Sequence, residues 1–224
     1  MVIHPCGKKY ILRIVLLIAI INFLVWYYIP ITFINVIISI LSFFLFCGVA
    51  QFFRYPNRPL IPVKNQIISP ADGTICAISN YKEEEILKKD TLRVSIFMSP
   101  LNVHINWIPI GGKVTFLKHK KGKFNAAFKD KASEENERFS TVTELEDGRQ
   151  ILTNQIAGAL ARRVLNYLKI GQQVETGEEM GFIRLGSRVD MYLPTNTQIS
   201  VKIGDSVRGR ETVIGTIVES GKND

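Results

Sequence analysis

Acidic residues are absent from the first third of this 224-residue chain: the first one is Asp72. The same stretch, residues 1–71, carries six basic residues, Lys8, Lys9, Arg13, Arg54, Arg58 and Lys64, so +6 of the formal net charge of +8 lies there. The other 153 residues are close to balanced, and no nucleic-acid partner is expected. Cysteine is scarce too. Cys6, Cys47 and Cys76 are odd in number and far apart, which supports neither a disulfide framework nor a metal site. Only three histidines occur, His4, His104 and His119, so candidates for a general base near neutral pH are few.

Between Arg13 and Arg54 lie 40 residues without a charge. As helix this run would extend about 60 Å, roughly twice the ~30 Å core of a bilayer, so one span cannot use it all. Pro30 sits near its middle beside Trp26, Tyr27 and Tyr28, side chains that favour a membrane interface. The pattern predicts a transmembrane hairpin of two helices, about 11–29 and 31–53, within an anchor of residues 1–58. A cleaved signal peptide fits poorly, because the run is too long and no small-residue cleavage site follows it. A buried helix pair in a soluble core is the bland alternative. Basic residues flank both ends, which places both ends, and the domain that follows, on the cytoplasmic side of the cell membrane.

From residue 59 to 224 the chain reads as mainly β. Short apolar or alternating runs recur at 67–79, 92–98, 103–108, 113–118, 139–145, 181–193, 197–203 and 212–218, separated by Gly, Pro or Asp. Such spacing suggests a compact β sandwich or barrel with one or two helices. One helix is expected from Asn154 to Ile170, where Ile156, Leu160, Val164 and Leu168 fall four apart and Gly171 could cap the end. The segment His119–Arg138 reads as a solvated loop. The lysines at its start, Lys118, Lys120, Lys121 and Lys123, could gather an anionic lipid.

Chemistry concentrates in three places. Gly186-Ser187 offers a hydroxyl beside an unhindered carbonyl, and glycine tolerates the strained backbone that attack on that carbonyl requires. Taken alone the pair is ordinary turn chemistry. A serine nucleophile also needs a positioned base. His104 lies where an apolar run resumes after Ser99-Pro100; it is either such a base or a core histidine. Asp72, in Ser69-Pro-Ala-Asp-Gly73, is either the acid partner or a plain turn residue.

Ser69-Pro-Ala-Asp-Gly73, Asn102-Val-His104 and Leu185-Gly-Ser-Arg-Val-Asp190, in that order, resemble the phosphatidylserine decarboxylase proenzymes of the short, archaeal-like type. Phe124–Ser133, Asn136-Glu-Arg138 and Gln155–Arg163 extend the resemblance over most of residues 54–218. It implies that Asp72 orients and charges His104, that His104 activates Ser187, and that Ser187 attacks the Gly186 carbonyl. β-Elimination of the resulting ester would separate two chains, 1–186 and 187–224, and leave at 187 a dehydroalanine that rearranges and is hydrolysed, with loss of ammonia, to a pyruvoyl group. The implied enzyme decarboxylates phosphatidylserine to phosphatidylethanolamine and CO2 through a Schiff base with that pyruvoyl group, His104 returning the proton. Its implied partners are the membrane lipid and the two self-cleaved chains for each other, and the sequence leaves a homo-oligomer open. One departure stands out: longer relatives carry a second histidine where this chain has Leu101, so His104 would serve both processing and turnover.

Two other readings compete. Residues 69–75 together with Lys202–Gly215 resemble the half-repeats of lipoyl and biotinyl carrier domains, which would make the chain a membrane-anchored adaptor without enzymatic activity. The hairpin tip that bears a carrier's modified lysine corresponds here to Gly186-Ser187-Arg188, so the likeness is one of scaffold. A pyruvoyl decarboxylase of a soluble amino acid would keep the chemistry but gives no reason for an anchor.

Overall fold

The computed structural model describes residues 2–127, 132–159, 163–184 and 186–218. The chain divides into two compact units, Met1–Asn57 and Arg58–Asp224. In the first, β1 (Val2–Ile3) leads into α1 (Pro5–Tyr28), and α2 (Thr32–Phe52) returns to β2 (Arg54–Tyr55), which pairs antiparallel with β1. Helix α1 begins six residues earlier than composition suggests. Pro5 stands in its first turn, and the His4 side chain accepts from the Cys6 N–H, so Lys8, Lys9 and Arg13 are helical. At 24 and 21 residues the two helices are about 36 and 32 Å long, and both are apolar enough to cross a membrane. Polar side chains join them. Asn22 donates to Ser42 Oγ at 2.9 Å and accepts from Ser39 Oγ at 2.9 Å, and Trp26 Nε1 donates to Ser39 Oγ at 3.3 Å. Their leucines and phenylalanines, such as Leu16, Phe23, Phe33 and Phe44, stay exposed. In lipid, interhelical hydrogen bonds of this kind do the joining that the hydrophobic effect does in water.

The second unit is mainly β. Its first strands are β3 (Gln66–Ile68), β4 (Gly73–Glu83), β5 (Lys89–Met98), β6 (Ile105–Trp107) and β7 (Gly112–Lys120). A one-turn helix, α3 (Ala132–Glu135), precedes β8 (Arg138–Glu144), β9 (Gln150–Ala157), β10 (Val164–Asn166), β11 (Gln173–Val174) and β12 (Glu179–Ile183). Last come β13 (Ser187–Leu193), β14 (Thr197–Ile199), β15 (Ser206–Val207) and β16 (Val213–Ile217). Among the described residues they form an eight-stranded sheet in the order β11-β7-β8-β9-β13-β5-β4-β15. Two three-stranded sheets accompany it, β10-β12-β6 and β14-β16-β3.

Strand β13 lies between β9 and β5, and all seven of its residues are buried. Val189, Met191 and Leu193 join Ile75, Val94, Ile96, Met98 and Ile151 in the main core on one face. The other face holds Arg188 and Asp190, which no core accepts unpaired. Asp190 takes Arg188 Nε at 2.6 Å and Ser133 Oγ at 2.7 Å, and Arg188 Nη2 donates to Ser95 Oγ at 2.8 Å.

The expected helix at 154–170 does not form. Asn154–Ala157 is the end of β9, paired on both sides, with Ile156 opposite Arg138 and Arg188. Val164–Asn166 is a strand on β12, and Leu168 packs with Ile108, Val114, Val174 and Met180. Ile156 and Val164 stand on two different strands and Leu168 follows the second, and pairing on both edges outweighs a weak helical pattern. Leu160 lies outside the described residues. Gly171, at φ +84°, sits in a turn rather than at a helix end.

Candidate active site

The run read as one stretch from 181 to 193 is two strands in different sheets. β12 ends at Ile183, Gly186 turns at φ +60°, and β13 starts at Ser187. A positive φ at 186 suits glycine and strains other residues. The Gly186 carbonyl packs on another glycine: a Cβ at Gly158 would lie 1.9 Å from the Gly186 oxygen. Gly158 therefore clears the seat of the carbonyl that Ser187 would attack. A Gly158→Ala variant should displace that carbonyl and slow any cut at 186–187 by about a hundredfold, the scale for a misplacement near 1 Å. A time course on denaturing gels would show it, and cutting at the normal rate would mean that the seat is irrelevant.

Pairing registers bring the three motif segments to one end of the sheet. Ser187 stands opposite Met98 on β5 and Ala157 on β9; one residue further in, Thr74 pairs with Phe97, and Phe97 with Arg188. Asp72, just ahead of β4, reaches the same end. From Met98 the chain reverses through a turn closed by Asn102 N–H to Ser99 O at 3.1 Å, with Asn102 Oδ1 accepting the Ser99 N–H at 2.8 Å. It then enters His104 and β6, which pairs with β12, and the Ile183 N–H donates to His104 O at 3.1 Å. Ser187 is fully buried, and its hydroxyl donates to the Met98 sulfur at 3.3 Å.

His104 is fully buried with its ring 6.2 Å from that of Phe182. Its Nδ1 lies 2.9 Å from the Asn102 carbonyl oxygen. A carbonyl only accepts, so that contact holds the proton on Nδ1 and makes Nε2 the basic nitrogen of the neutral ring.

The Asp72 carboxylate is engaged elsewhere. It accepts from Arg58 Nη1 and, at 2.8 Å, from Arg58 Nη2, and Oδ1 also accepts the Gly209 N–H at 2.9 Å. Arg58 stacks over Trp107 at 5.5 Å and donates to Gly209 O at 2.8 Å. Burial lowers the proton affinity of Arg58, but hydrogen bonding to Asp72 and its charge outweigh that and raise it above the ordinary value. In sequence Arg58 reads only as a basic flank of the apolar run; its geometry makes it the partner of Asp72.

The lysines after Leu117 are largely answered by carboxylates. Lys118 and Lys120 both reach Glu85 at 3.4 Å, and Lys123 reaches Glu135 at 3.3 Å. Lys118, His119 and Lys120 belong to β7 rather than to a loop. A groove of about 1230 Å³ beside Val63, Leu145, Arg149 and Val174 contains none of Asp72, His104 and Ser187. Among the described residues no cluster of His, Cys, Asp or Glu suits a metal ion.

The sequence matches the phosphatidylserine decarboxylase family over residues 45–215. A phosphatidylserine decarboxylase proenzyme of Porphyromonas gingivalis is 42% identical over 196 residues, 87% of this chain and 89% of that protein. Those of Parabacteroides distasonis and Cytophaga hutchinsonii are each 40% identical, covering 97% and 96% of this chain and 99% and 98% of their own lengths. With identity of this level along nearly the whole length, the chain belongs to the phosphatidylserine decarboxylase family.

Proposed function

We propose that this protein is a membrane-bound phosphatidylserine decarboxylase that cuts itself between Gly186 and Ser187 to make its own pyruvoyl group. The observation that supports this most is local. Ser187 opens a buried central strand directly behind a glycine at φ +60°, whose carbonyl is seated on Gly158, and the segment bearing His104 hydrogen-bonds to the strand entering that turn. Ser187 is the nucleophile in this reading, and His104 Nε2 is the base that takes its proton. Asp72 supplies negative charge at the same sheet end. The residue that becomes the prosthetic group is already in place, so the fit concerns Ser187 itself. The pyruvoyl ketone supplies the electron sink that decarboxylating an amino acid needs and that no ordinary side chain offers. His104 then holds the proton that the product carbon takes up.

The architecture suits a two-chain product. Residues 187–224 include β13, held by β9 and β5, as well as β15 on β4 and β14 and β16 beside β3. A fragment so woven into two sheets stays with residues 1–186 after the bond between them is gone. The hairpin α1–α2 anchors the unit in the lipid layer that holds the substrate, and the flanking basic residues put the catalytic unit on the cytoplasmic side. An anchored site also meets its head group at a raised effective concentration.

The test uses the full chain, purified from membranes that have been washed with carbonate. The expected result is two bands on a denaturing gel, with masses of 1–186 and of a 187–224 fragment lacking a free amino terminus, together with CO2 release from phosphatidylserine vesicles. A protein that stays in one piece yet releases CO2 would refute the maturation, and one that cuts itself but spares phosphatidylserine would refute the substrate.

A further inference from the structure

A line of hydrogen bonds crosses the interior to Ser187, and its direction can be assigned from one end. Asn166 Oδ1 accepts the Leu168 backbone N–H at 3.0 Å, so its Nδ2 must be the group facing Thr141 Oγ1 and Gln155 Oε1, both at 3.0 Å. Gln155 therefore presents Nε2 on its other side, where it donates to Asn106 Oδ1 at 2.8 Å and approaches the Leu165 carbonyl at 3.4 Å. Asn106 is left with Nδ2 pointing at the Met98 sulfur, 3.6 Å away. A backbone donor cannot flip, so it orders all three carboxamides behind it. Gly181 makes room for the line: a Cβ there would lie 3.0 Å from Gln155 Nε2 and 2.0 Å from the Leu165 oxygen.

The line ends on a poor acceptor. Asn106, Gln155, Met98 and Ser187 are all fully buried, and a buried amide N–H ordinarily finds an oxygen. A thioether accepts only weakly. The same sulfur also takes the Ser187 hydroxyl, at 3.3 Å, so the amide nitrogen and the serine oxygen are neighbours across one atom. A donor held this way is matched less well to the uncut chain than to a species with more negative charge on that oxygen.

Resting on the self-cleavage reading, the geometry points to Asn106 as the residue that receives the leaving oxygen in the second half of maturation. Attack by Ser187 Oγ on the Gly186 carbonyl carbon breaks the C–N bond to residue 187, whose nitrogen takes up a proton as a free amine, and Oγ becomes an ester oxygen bonded to that carbon. Elimination breaks the Cβ–Oγ bond and leaves that electron pair on Oγ, now part of the Gly186 carboxylate. The α-proton of residue 187 goes to the base, and its former bonding pair forms the Cα=Cβ double bond. Asn106 Nδ2 donates to Oγ as the charge develops, and Gln155 and Asn166 act as positioning residues that keep the amide from turning over.

The step assigned to Asn106 can be read without decarboxylase activity. An Asn106→Ala chain should fold and attack but eliminate about a hundredfold more slowly, the scale for removing one donor from a developing oxyanion. The ester then accumulates, and neutral hydroxylamine should split the apparently intact chain into two, with a 187–224 fragment whose amino terminus is a readable serine. Cutting at the normal rate, or a folded uncut chain that resists hydroxylamine, would overturn the assignment. If Asn106→Ala does not fold, Gln155→Met, which leaves Asn106 in place and removes its orienting donor, should show the same hydroxylamine-sensitive ester at a lower level, and its absence would also overturn it. Ser187→Ala serves as the control: cutting in that variant refutes self-cleavage by Ser187 altogether, whereas a block there with normal cutting in both other variants refutes only the role of Asn106.

Discussion

Replacing Ser187 with alanine is expected to leave one uncut chain on a denaturing gel and no detectable decarboxylase activity. The loss should be complete, because no other hydroxyl is placed at the start of β13 behind the Gly186 carbonyl. The fold should hardly notice. The hydroxyl makes one hydrogen bond, to the Met98 sulfur, and losing a neutral bond of that kind costs at most about 1 kcal/mol. A thermal melt run beside the gel would separate these effects, with a near-normal midpoint and no cleavage. Ser187→Cys keeps a nucleophile of similar size and should still cut, slowly. Ser187→Thr keeps the hydroxyl but adds a methyl group to a fully buried position, where overpacking typically costs about 1–3 kcal/mol. Two bands from the alanine variant would remove Ser187 from the mechanism.

Much of this molecule was legible in the sequence because composition carries it. Forty uncharged residues interrupted by Pro30 could hardly be anything but paired helices, and their turn falls within two residues of that proline. The mainly β character of the rest also followed from short runs broken by Gly, Pro and Asp. Local pattern misled where strands are buried on both faces. β9 and β13 lie inside the large sheet, so Gln150–Ala157 is almost wholly buried and shows no clean alternation, and its end passed for the start of a helix. The run 181–193 passed for one strand because a single glycine, at 186, performs the break.

The site divides in the same way. Ser187, His104 and Asp72 could be named from the order of their motifs, and strand register does bring their segments to one sheet end. The residues that serve them could not. Arg58 looked like a membrane flank, and Gly158 lay inside the supposed helix. Asn106, Gln155 and Asn166 are separated by 49 and 11 positions, and only the packing of two sheets unites them. Tertiary partners of this kind leave no periodic trace in a single sequence.

The division of labour between His104 and Asp72 is the remaining large effect. If His104 is the base, His104→Ala should all but stop cutting, since it removes the Nε2 lone pair; general-base removal typically costs about 10²–10⁴-fold. Its loss of packing against Phe182 will lower stability as well, so His104→Gln, closer in size, is the fairer probe and should also fail to cut. Asp72→Asn is more discriminating. Arg58 is mostly buried and has Asp72 as a bidentate partner, so neutralising the acid should cost on the order of 2 kcal/mol whatever else it does. If Asp72 only anchors Arg58, then Asp72→Asn and Arg58→Met should lose similar stability and both should cut normally. If its negative charge also supports the imidazolium formed when His104 takes a proton, Asp72→Asn should cut far more slowly than Arg58→Met at equal stability. We expect the second result, because the Asn102 carbonyl orients the His104 ring without supplying a charge to balance it. Equal cutting rates in the two variants, measured at matched thermal midpoints, would leave Asp72 a structural residue whose charge His104 does not need.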